Sequence, residues 1–112
     1  MNKVKHEALN DGVLIYGSME PKLNPSKKKV GETFKDKGKL FFKELSSREA
    51  DVIRCNSLGY SLDIKVKVLY RPDLLNTDKV IIENSIYDIG YLDKEAKNYI
   101  YLYLQKAGIK ND

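Results

Sequence analysis

The chain has 112 residues, of which 42% are apolar and 32% are charged, and its formal net charge is +4. This size predicts one domain, residues 1–112, and leaves no room for a dinucleotide-binding unit joined to a substrate domain. The longest apolar run, residues 99–104, is too short to span a bilayer. Residues 1–11 contain no apolar segment of the signal-peptide kind, and the single cysteine cannot form an internal disulfide. We therefore expect a soluble intracellular protein.

The first half of the chain predicts two short strands joined by a long loop. Residues 12–17 and 38–43 are apolar runs next to glycines, which is typical of strands. Residues 18–38 contain Pro21, Pro25 and no hydrophobic period, so the sequence predicts an irregular loop there. Loops of this length in compact domains are usually functional or disordered. Residues 18–38 are therefore a candidate functional segment.

The same segment carries the net charge of the chain. Residues 20–39 contain seven lysines and three acidic residues, which accounts for the whole +4, and the remaining residues are balanced. This asymmetry favours contact with a polyanion, although a solvated lysine-rich loop has the same composition. The candidate residues are Lys22, Lys27, Lys28, Lys29, Lys35, Lys37 and Lys39.

A short helix is predicted after the second strand, within residues 46–56. Ser46 or Ser47 can cap its N-terminus. Ala50 and Ile53 give the helix a narrow apolar stripe.

The second half of the chain predicts further strands. In residues 62–70 apolar and mostly polar side chains alternate, which is typical of an antiparallel strand with one buried and one exposed face. Residues 79–83 and 86–92 predict a hairpin with a two-residue turn. In residues 99–104 tyrosines alternate with aliphatic residues, which favours a strand over the helix that the flanking residues allow.

These elements predict a mainly β fold. About six short strands in a chain of this length point to a small antiparallel barrel or sandwich. The fold class that we expect is a small antiparallel β-barrel with one short helix and a long basic loop.

Side chains that could support catalysis or bind a metal are few and scattered. His6 has no neighbouring cysteine, and Cys55 has no nearby histidine to act as a base. Asp88 and Asp93 are a conceivable acid pair, but their odd separation places them on opposite faces of a strand. The sequence contains no phosphate-binding loop and no zinc or calcium motif. We expect no enzymatic activity, no cofactor and no metal site.

The chain has eight tyrosines and no tryptophan. If the aliphatic residues of segment 99–104 fill the barrel, Tyr99, Tyr101 and Tyr103 point outward together. Such a face fits a subunit contact or base stacking, and it also fits a β-core completed by amphipathic aromatics. We take the three tyrosines as the candidate assembly surface.

The order of these features resembles the head closure proteins of long-tailed bacteriophages, also called stoppers or head–tail adaptors. One departure lies in the second strand, where many members have a tryptophan and this chain has Leu40, Phe41 and Phe42. The resemblance covers residues 11–16, 38–45, 46–51, 65–73, 79–82 and 86–89.

This resemblance implies a structural virion protein of the phage neck, present in the host bacterial cytoplasm during assembly. Such proteins form a homo-oligomeric ring, of six or twelve subunits, below the portal and its adaptor. The ring closes the DNA-filled head and gives the tail completion protein its docking surface. The resemblance also implies that residues 18–38 project into the tunnel and that their lysines contact packaged double-stranded DNA without sequence specificity. It implies no membrane contact.

Two other functions fit the same residues. One is a small β-barrel that binds single-stranded nucleic acid, with tyrosines as stacking platforms and the lysines as an electrostatic funnel. The other is a phage tail completion protein.

Overall fold

A computed structural model describes residues 9–94 and 98–109 and shows a closed antiparallel barrel. The elements in chain order are β1 (Gly12–Leu23), β2 (Lys29–Leu45), α1 (Glu49–Ser57), β3 (Ile64–Leu69), β4 (Lys79–Ile82), β5 (Ser85–Asp93) and β6 (Tyr99–Ile109). Around the barrel the strand order is β1-β2-β3-β6-β5-β4, and pairing of β1 with β4 closes it. The predicted β-barrel with one short helix is confirmed. His6 lies outside the described residues.

The interior of the barrel is filled by every second side chain of its strands. Leu14, Val66, Val80, Ile100 and Leu102 are fully buried. Burying such a side chain contributes roughly 1.5–3 kcal/mol. Because a slip of one residue would turn this whole set outward, the packing also determines the register between the strands.

The predicted strand positions are confirmed where one face is buried. The strand of segment 99–104 is present as β6 and continues to Ile109. The hairpin β4–β5 is present, with its turn at Glu83 and Asn84, one residue earlier than predicted. Glu83 has a φ of 55°, so a left-handed residue opens this turn.

The prediction of an irregular loop at residues 18–38 is wrong. Strands β1 and β2 remain paired from Gly12–Phe42 out to Leu23–Lys29, and only residues 24–28 form the connecting turn. Pairing of β1 with β4 stops at Gly17, so β1 beyond it is paired with β2 alone. We call residues 18–37 the arm. The arm has no core to face, and its sequence therefore lacks the alternation that identifies a half-buried strand.

A β-bulge separates the arm from the barrel. Tyr16 pairs with Gly38 and Gly17 pairs with Asp36, so Lys37 is the extra residue of β2. A Cβ on Gly17 would lie 2.1 Å from the carbonyl oxygen of Lys35, so this close approach of two backbones requires glycine. Bulges bend the strand that carries them and re-aim its side chains.

Helix α1 packs through a face other than the predicted one. The N-cap is Arg48, and its backbone N–H donates to the Asp51 carboxylate at 3.1 Å. The buried residues of the helix are Asp51 and Cys55, whereas Ala50 and Ile53, predicted as its apolar stripe, are exposed. No helix within the described part of the chain is long and apolar enough to cross a membrane.

We predict that Gly17→Ala destabilises the protein by about 3 kcal/mol, because the new methyl group cannot avoid the Lys35 carbonyl without breaking the bulge. Urea unfolding of the full chain measures this. Gly108→Ala is the matched control, since no atom lies within 4 Å of a Cβ built on that strand glycine. Equal unfolding midpoints for the two variants would contradict the requirement for glycine at the bulge.

Candidate functional site

The candidate lysines lie on the arm or at its base, and the structure separates them into three groups. Lys29 lies 3.5 Å from Glu32, and Lys35 lies 3.7 Å from Glu20. Both are exposed ion pairs, which contribute little to stability. Lys37 contacts the buried Asp78 carboxylate, as described below. Within the described ranges, no side-chain ion pair or hydrogen bond is found for Lys22, Lys27, Lys28 and Lys39.

The tip of the arm is a hydrogen-bonded turn. The Lys27 N–H donates to the Asn24 carbonyl at 2.8 Å, and the Lys28 N–H donates to the Asn24 side-chain oxygen at 2.9 Å. Lys27 has a φ of 62°, in the left-handed region. The turn therefore presents the ammonium groups of Lys27 and Lys28 at the far end of the ribbon.

The base of the arm is held by Lys37, the extra residue of the bulge. Its ammonium donates to the Asp78 carboxylate at 2.9 Å and to the Asp73 carbonyl at 2.9 Å. Asp78 is only 2% exposed and also accepts a hydrogen bond from the Leu75 N–H. Lys37 therefore ties the arm to the segment that connects β3 with β4. Of the predicted polyanion-binding lysines, this one is structural.

Tyr16, whose ring is buried in the barrel, also binds the segment that holds the base of the arm. Its hydroxyl donates to the Asp73 carboxylate at 2.9 Å. Burial and the neighbouring Asp73 charge raise the pKa of Tyr16 to about 12, because both disfavour the phenolate. The phenol therefore stays a hydrogen-bond donor throughout the physiological pH range.

The outer face of β3, predicted to be exposed, is covered. Lys65 and Lys67 are 6% and 8% exposed. The Lys67 ammonium lies 4.2 Å from the centre of the Tyr99 ring, and the Lys65 ammonium lies 5.0 Å from that of Tyr103. The tyrosines of β6 thus shield the lysines of β3 by cation–π contacts. We call these two lysines with Tyr99, Tyr101 and Tyr103 the lysine–tyrosine cluster.

Helix α1 closes one end of this cluster. The Lys65 ammonium donates to the Asp51 carboxylate at 3.0 Å, and both side chains are buried. Burial alone would raise the pKa of Asp51, but the Arg48 N–H and the Lys65 ammonium outweigh it and hold this pKa below its usual value. Burial and the nearby Asp51 charge raise the pKa of the Cys55 thiol, so the conditions for a reactive thiolate are poor.

The three candidate tyrosines do not form one open face. Tyr99 and Tyr101 are partly exposed, but Tyr103 is 6% exposed and packs edge-to-face against Tyr91, with ring centres 5.3 Å apart. The Arg54 guanidinium lies 4.9 Å from the centre of the Tyr91 ring. Tyr103 therefore belongs to the packing between α1 and the barrel.

Two apolar surface features stand out that the sequence did not predict. On the outer face of β1 and β2, Phe41 is 66% exposed and pairs across the strands with Val13, which is 44% exposed. We call this pair the apolar projection. Its signal in the sequence is the phenylalanine between Leu40 and Phe42, both of which point into the barrel.

The second feature is a groove beside β5 with a volume of about 480 Å³. Leu58 and Leu75 line it and are 51% and 48% exposed, and Tyr91 and Leu92 line it from β5. Asn76 and Lys94 also line it, beside these apolar side chains. We call it the apolar groove. Strands β2 and β5 are three positions apart in either direction around the six-stranded barrel. The projection and the groove therefore lie on opposite sides of the molecule.

The carboxylates considered as an acid pair have other partners. Asp88 forms an ion pair with Lys79 across the β4–β5 hairpin, and Asp93 is also engaged in an interaction. Among the residues that the structure describes, no group of three histidine, cysteine, aspartate or glutamate side chains could hold a metal ion.

Comparisons with known proteins find a similar fold. No protein-family model matches the chain, and no curated protein sequence matches it. The solution structure of protein SF1141 from Shigella flexneri 2a is similar, with a TM-score of 0.67 over 88% of this chain and 93% of that chain. The two sequences are 11% identical, so this similarity concerns the fold alone.

We predict that Lys37→Met lowers the free energy of unfolding by about 2 kcal/mol, because the buried Asp78 carboxylate loses its cation. Amide hydrogen exchange of residues 74–78 should accelerate in the same variant. Lys39→Met is the matched control, since Lys39 is exposed and no ion pair is found for it within residues 9–94 and 98–109. Identical exchange in the two variants would show that Lys37 does not anchor the arm.

We predict that Asp51→Asn destabilises the protein by about 3 kcal/mol, because Lys65 stays buried without its counter-charge. Arg48→Gln, which removes an exposed partner of the same carboxylate, should cost less than about 1 kcal/mol. Urea unfolding measures both, and the labelling rate of the Cys55 thiol reports detachment of α1.

The same pair determines a pH dependence. The pKa of Asp51 is lower in the folded protein than in the unfolded chain. The stabilisation that its carboxylate gives is therefore complete above the ordinary pKa of about 3.9, and it is lost as the pH falls through the folded-state pKa. Asp51→Asn should therefore flatten the loss of stability in acid. An unchanged acid profile in this variant would exclude the Asp51–Lys65 pair as its source.

Proposed function

We propose that this chain is a structural protein of a bacteriophage neck, where it forms a ring that closes the DNA-filled head and receives the tail. The observation that carries the proposal is the arm, a paired ribbon that leaves a closed barrel and carries most of the lysines that account for the net charge. A ring brings one such arm from every subunit toward a common axis. The local charge is then multiplied by the number of subunits, which suits a channel filled with duplex DNA.

The barrel supports assembly through side chains rather than through strand edges. Pairing of β1 with β4 closes the barrel, so the strand edges that could pair with a neighbour lie outside its closed part, as on the arm. A head-to-tail ring needs two different patches that face away from each other. The apolar projection on β2 and the apolar groove beside β5 have this arrangement, and both expose large apolar side chains. We therefore assign the contact between copies to them.

The proposal places the ring between two other proteins of the neck. On the head side its partner is the portal adaptor, and on the tail side it is the tail completion protein. The chain would work in the virion neck after assembly in the host bacterial cytoplasm. The alternative of a single-stranded nucleic-acid binder needs several open aromatic rings as stacking platforms. The lysine–tyrosine cluster supports it less well than the sequence predicted, because Tyr103 is buried and Tyr99 and Tyr101 are only partly exposed.

Deletion of the gene from the phage or prophage that carries it tests the proposed function. We expect electron microscopy of the lysate to show free tails beside tailless heads that have lost their DNA. Expression of the wild-type chain from a plasmid should restore complete particles and serves as the control. Complete, infectious virions without the gene would refute the neck function.

The head-to-tail contact predicts complementation between two variants. Phe41→Lys removes the projection and Leu58→Lys blocks the groove, so each alone should be monomeric in sedimentation velocity experiments. Mixed in equal amounts, they should form a dimer, since one chain keeps an intact projection and the other an intact groove. Leu69→Lys, at a similarly exposed position on β3, should assemble as the wild type does. Failure of the mixture to dimerise would exclude this pairing of surfaces.

A further inference from the structure

The tip of the arm combines free lysines with exposed apolar side chains. A second register shift follows Lys22, so Val30 is an extra residue next to the Leu23–Lys29 pair. Leu23 and Val30 are 55% and 57% exposed and lie beyond the reach of the barrel core. The far end of the ribbon is therefore both basic and apolar. It suits a polyanion that offers apolar carbon atoms close to its negative charges.

The dimensions of the arm match a groove of duplex DNA. From the Gly17–Asp36 pair to the Leu23–Lys29 pair the ribbon runs for about 20 Å, at about 3.3 Å per residue. The major groove of B-DNA is about 12 Å wide and admits a two-stranded β-ribbon. Within the described residues, no other strand pairs with β1 beyond Gly17 or with β2 before Phe42. The ribbon is thus free to enter the groove without disturbing the barrel.

We infer that the outer part of the arm lies lengthwise in the major groove of duplex DNA, a mode of contact that rests on the proposed function. Lys22, Lys27 and Lys28 contact phosphates at the rims of the groove, and their charge is complementary to the backbone. Leu23 and Val30 contact sugar and base carbons within it. The remaining arm lysines contribute less, because Lys29 and Lys35 face Glu32 and Glu20, and Lys37 stays with Asp78.

This contact is not sequence-specific. The tip presents no arginine or glutamine to base edges, and the side-chain oxygen of Asn24 is used to form the turn. Lysine–phosphate contacts position a protein on the duplex without distinguishing its sequence. An aliphatic side chain in the major groove distinguishes only the thymine methyl group, which occurs throughout any long duplex. A chain that retains DNA of any sequence in a head needs this property.

Fluorescence anisotropy with a 30-base-pair duplex, titrated with salt, tests the inference on the full chain. Three phosphate contacts predict a slope of log K against log salt of about −2.7. Replacing Lys22, Lys27 and Lys28 by Gln should weaken binding at least tenfold at 50 mM salt and bring the slope close to zero. Lys39→Gln is the matched control, because it removes a free lysine that lies outside the arm.

A double variant of Leu23 and Val30 distinguishes contact within the groove from electrostatic attraction to the phosphates alone. Leu23→Ser combined with Val30→Ser should weaken duplex binding several-fold while the salt slope stays unchanged. Hydrogen exchange of the arm, equal to that of the wild type, shows that the hairpin is intact. Binding by this double variant at wild-type strength would overturn the groove contact.

Single-stranded DNA and anionic lipid vesicles are the two further ligands to be measured. The outcome of these binding experiments does not depend on the outcome of the gene deletion. Equal or tighter binding to a single strand of the same length, or to phosphatidylserine vesicles, would overturn the inference, as would no binding to duplex. A deletion phenotype of tailless heads without duplex binding leaves the neck function standing and refutes the groove contact. Normal virions together with groove-dependent binding would refute the neck function and leave the groove contact standing.

Discussion

The ion pair between Lys37 and Asp78 determines how the arm leaves the barrel. The bulge at Gly17 permits a bend but does not select its direction, since a two-stranded ribbon is free to twist. Lys37 fixes the direction of the bend, because its ammonium donates hydrogen bonds to the Asp78 carboxylate and the Asp73 carbonyl in the segment between β3 and β4. Tyr16 holds Asp73 from the core side. The charged tip is therefore displayed at a defined place relative to the barrel.

On the outer face of β3, cation–π contacts and a buried ion pair hold the side chains in place. Lys65 and Lys67 point outward from β3, where a solvated face would ordinarily be found, yet tyrosine rings and helix α1 cover them. The buried Asp51–Lys65 pair makes the position of α1 specific, because a shifted helix would leave two charges without partners. Leu58 follows the end of α1 and lines the apolar groove, so the packing of this helix also shapes the surface that we assign to the neighbouring copy.

The sequence predicted the strands that bury one face in the core, and it missed the paired strands of the arm, which bury neither face. Alternation identified β3 and β6, because their inward side chains form the core, and two β-rich runs around a short turn identified the β4–β5 hairpin. The arm has solvent on both faces, so no hydrophobic period identifies it, and Pro21, Pro25 and Gly31 are residues typical of a loop. Pro21 is tolerated there because β1 has no second neighbour at that position.

The candidate site could be predicted only in part for a similar reason. The concentration of lysines is visible in the sequence, but the division between a tip of free lysines and a structural Lys37 depends on contacts with residues far along the chain. The burial of Tyr103 could not be predicted, because it requires α1 to pack outside the barrel through Asp51 and Cys55 rather than through Ala50 and Ile53. Hydrophobic periodicity cannot identify a helix face whose main contact is an ion pair.

Photocrosslinking inside assembled phage particles tests the central claim most directly. A benzophenone amino acid would replace Lys27 at the arm tip in one variant and Ile53 on the exposed face of α1 in another. The arm of a neck ring should crosslink to packaged DNA from position 27, while position 53 should not. DNA crosslinks from position 53 alone, or from neither position in particles that contain the protein, would contradict the assignment of the arm to the DNA channel.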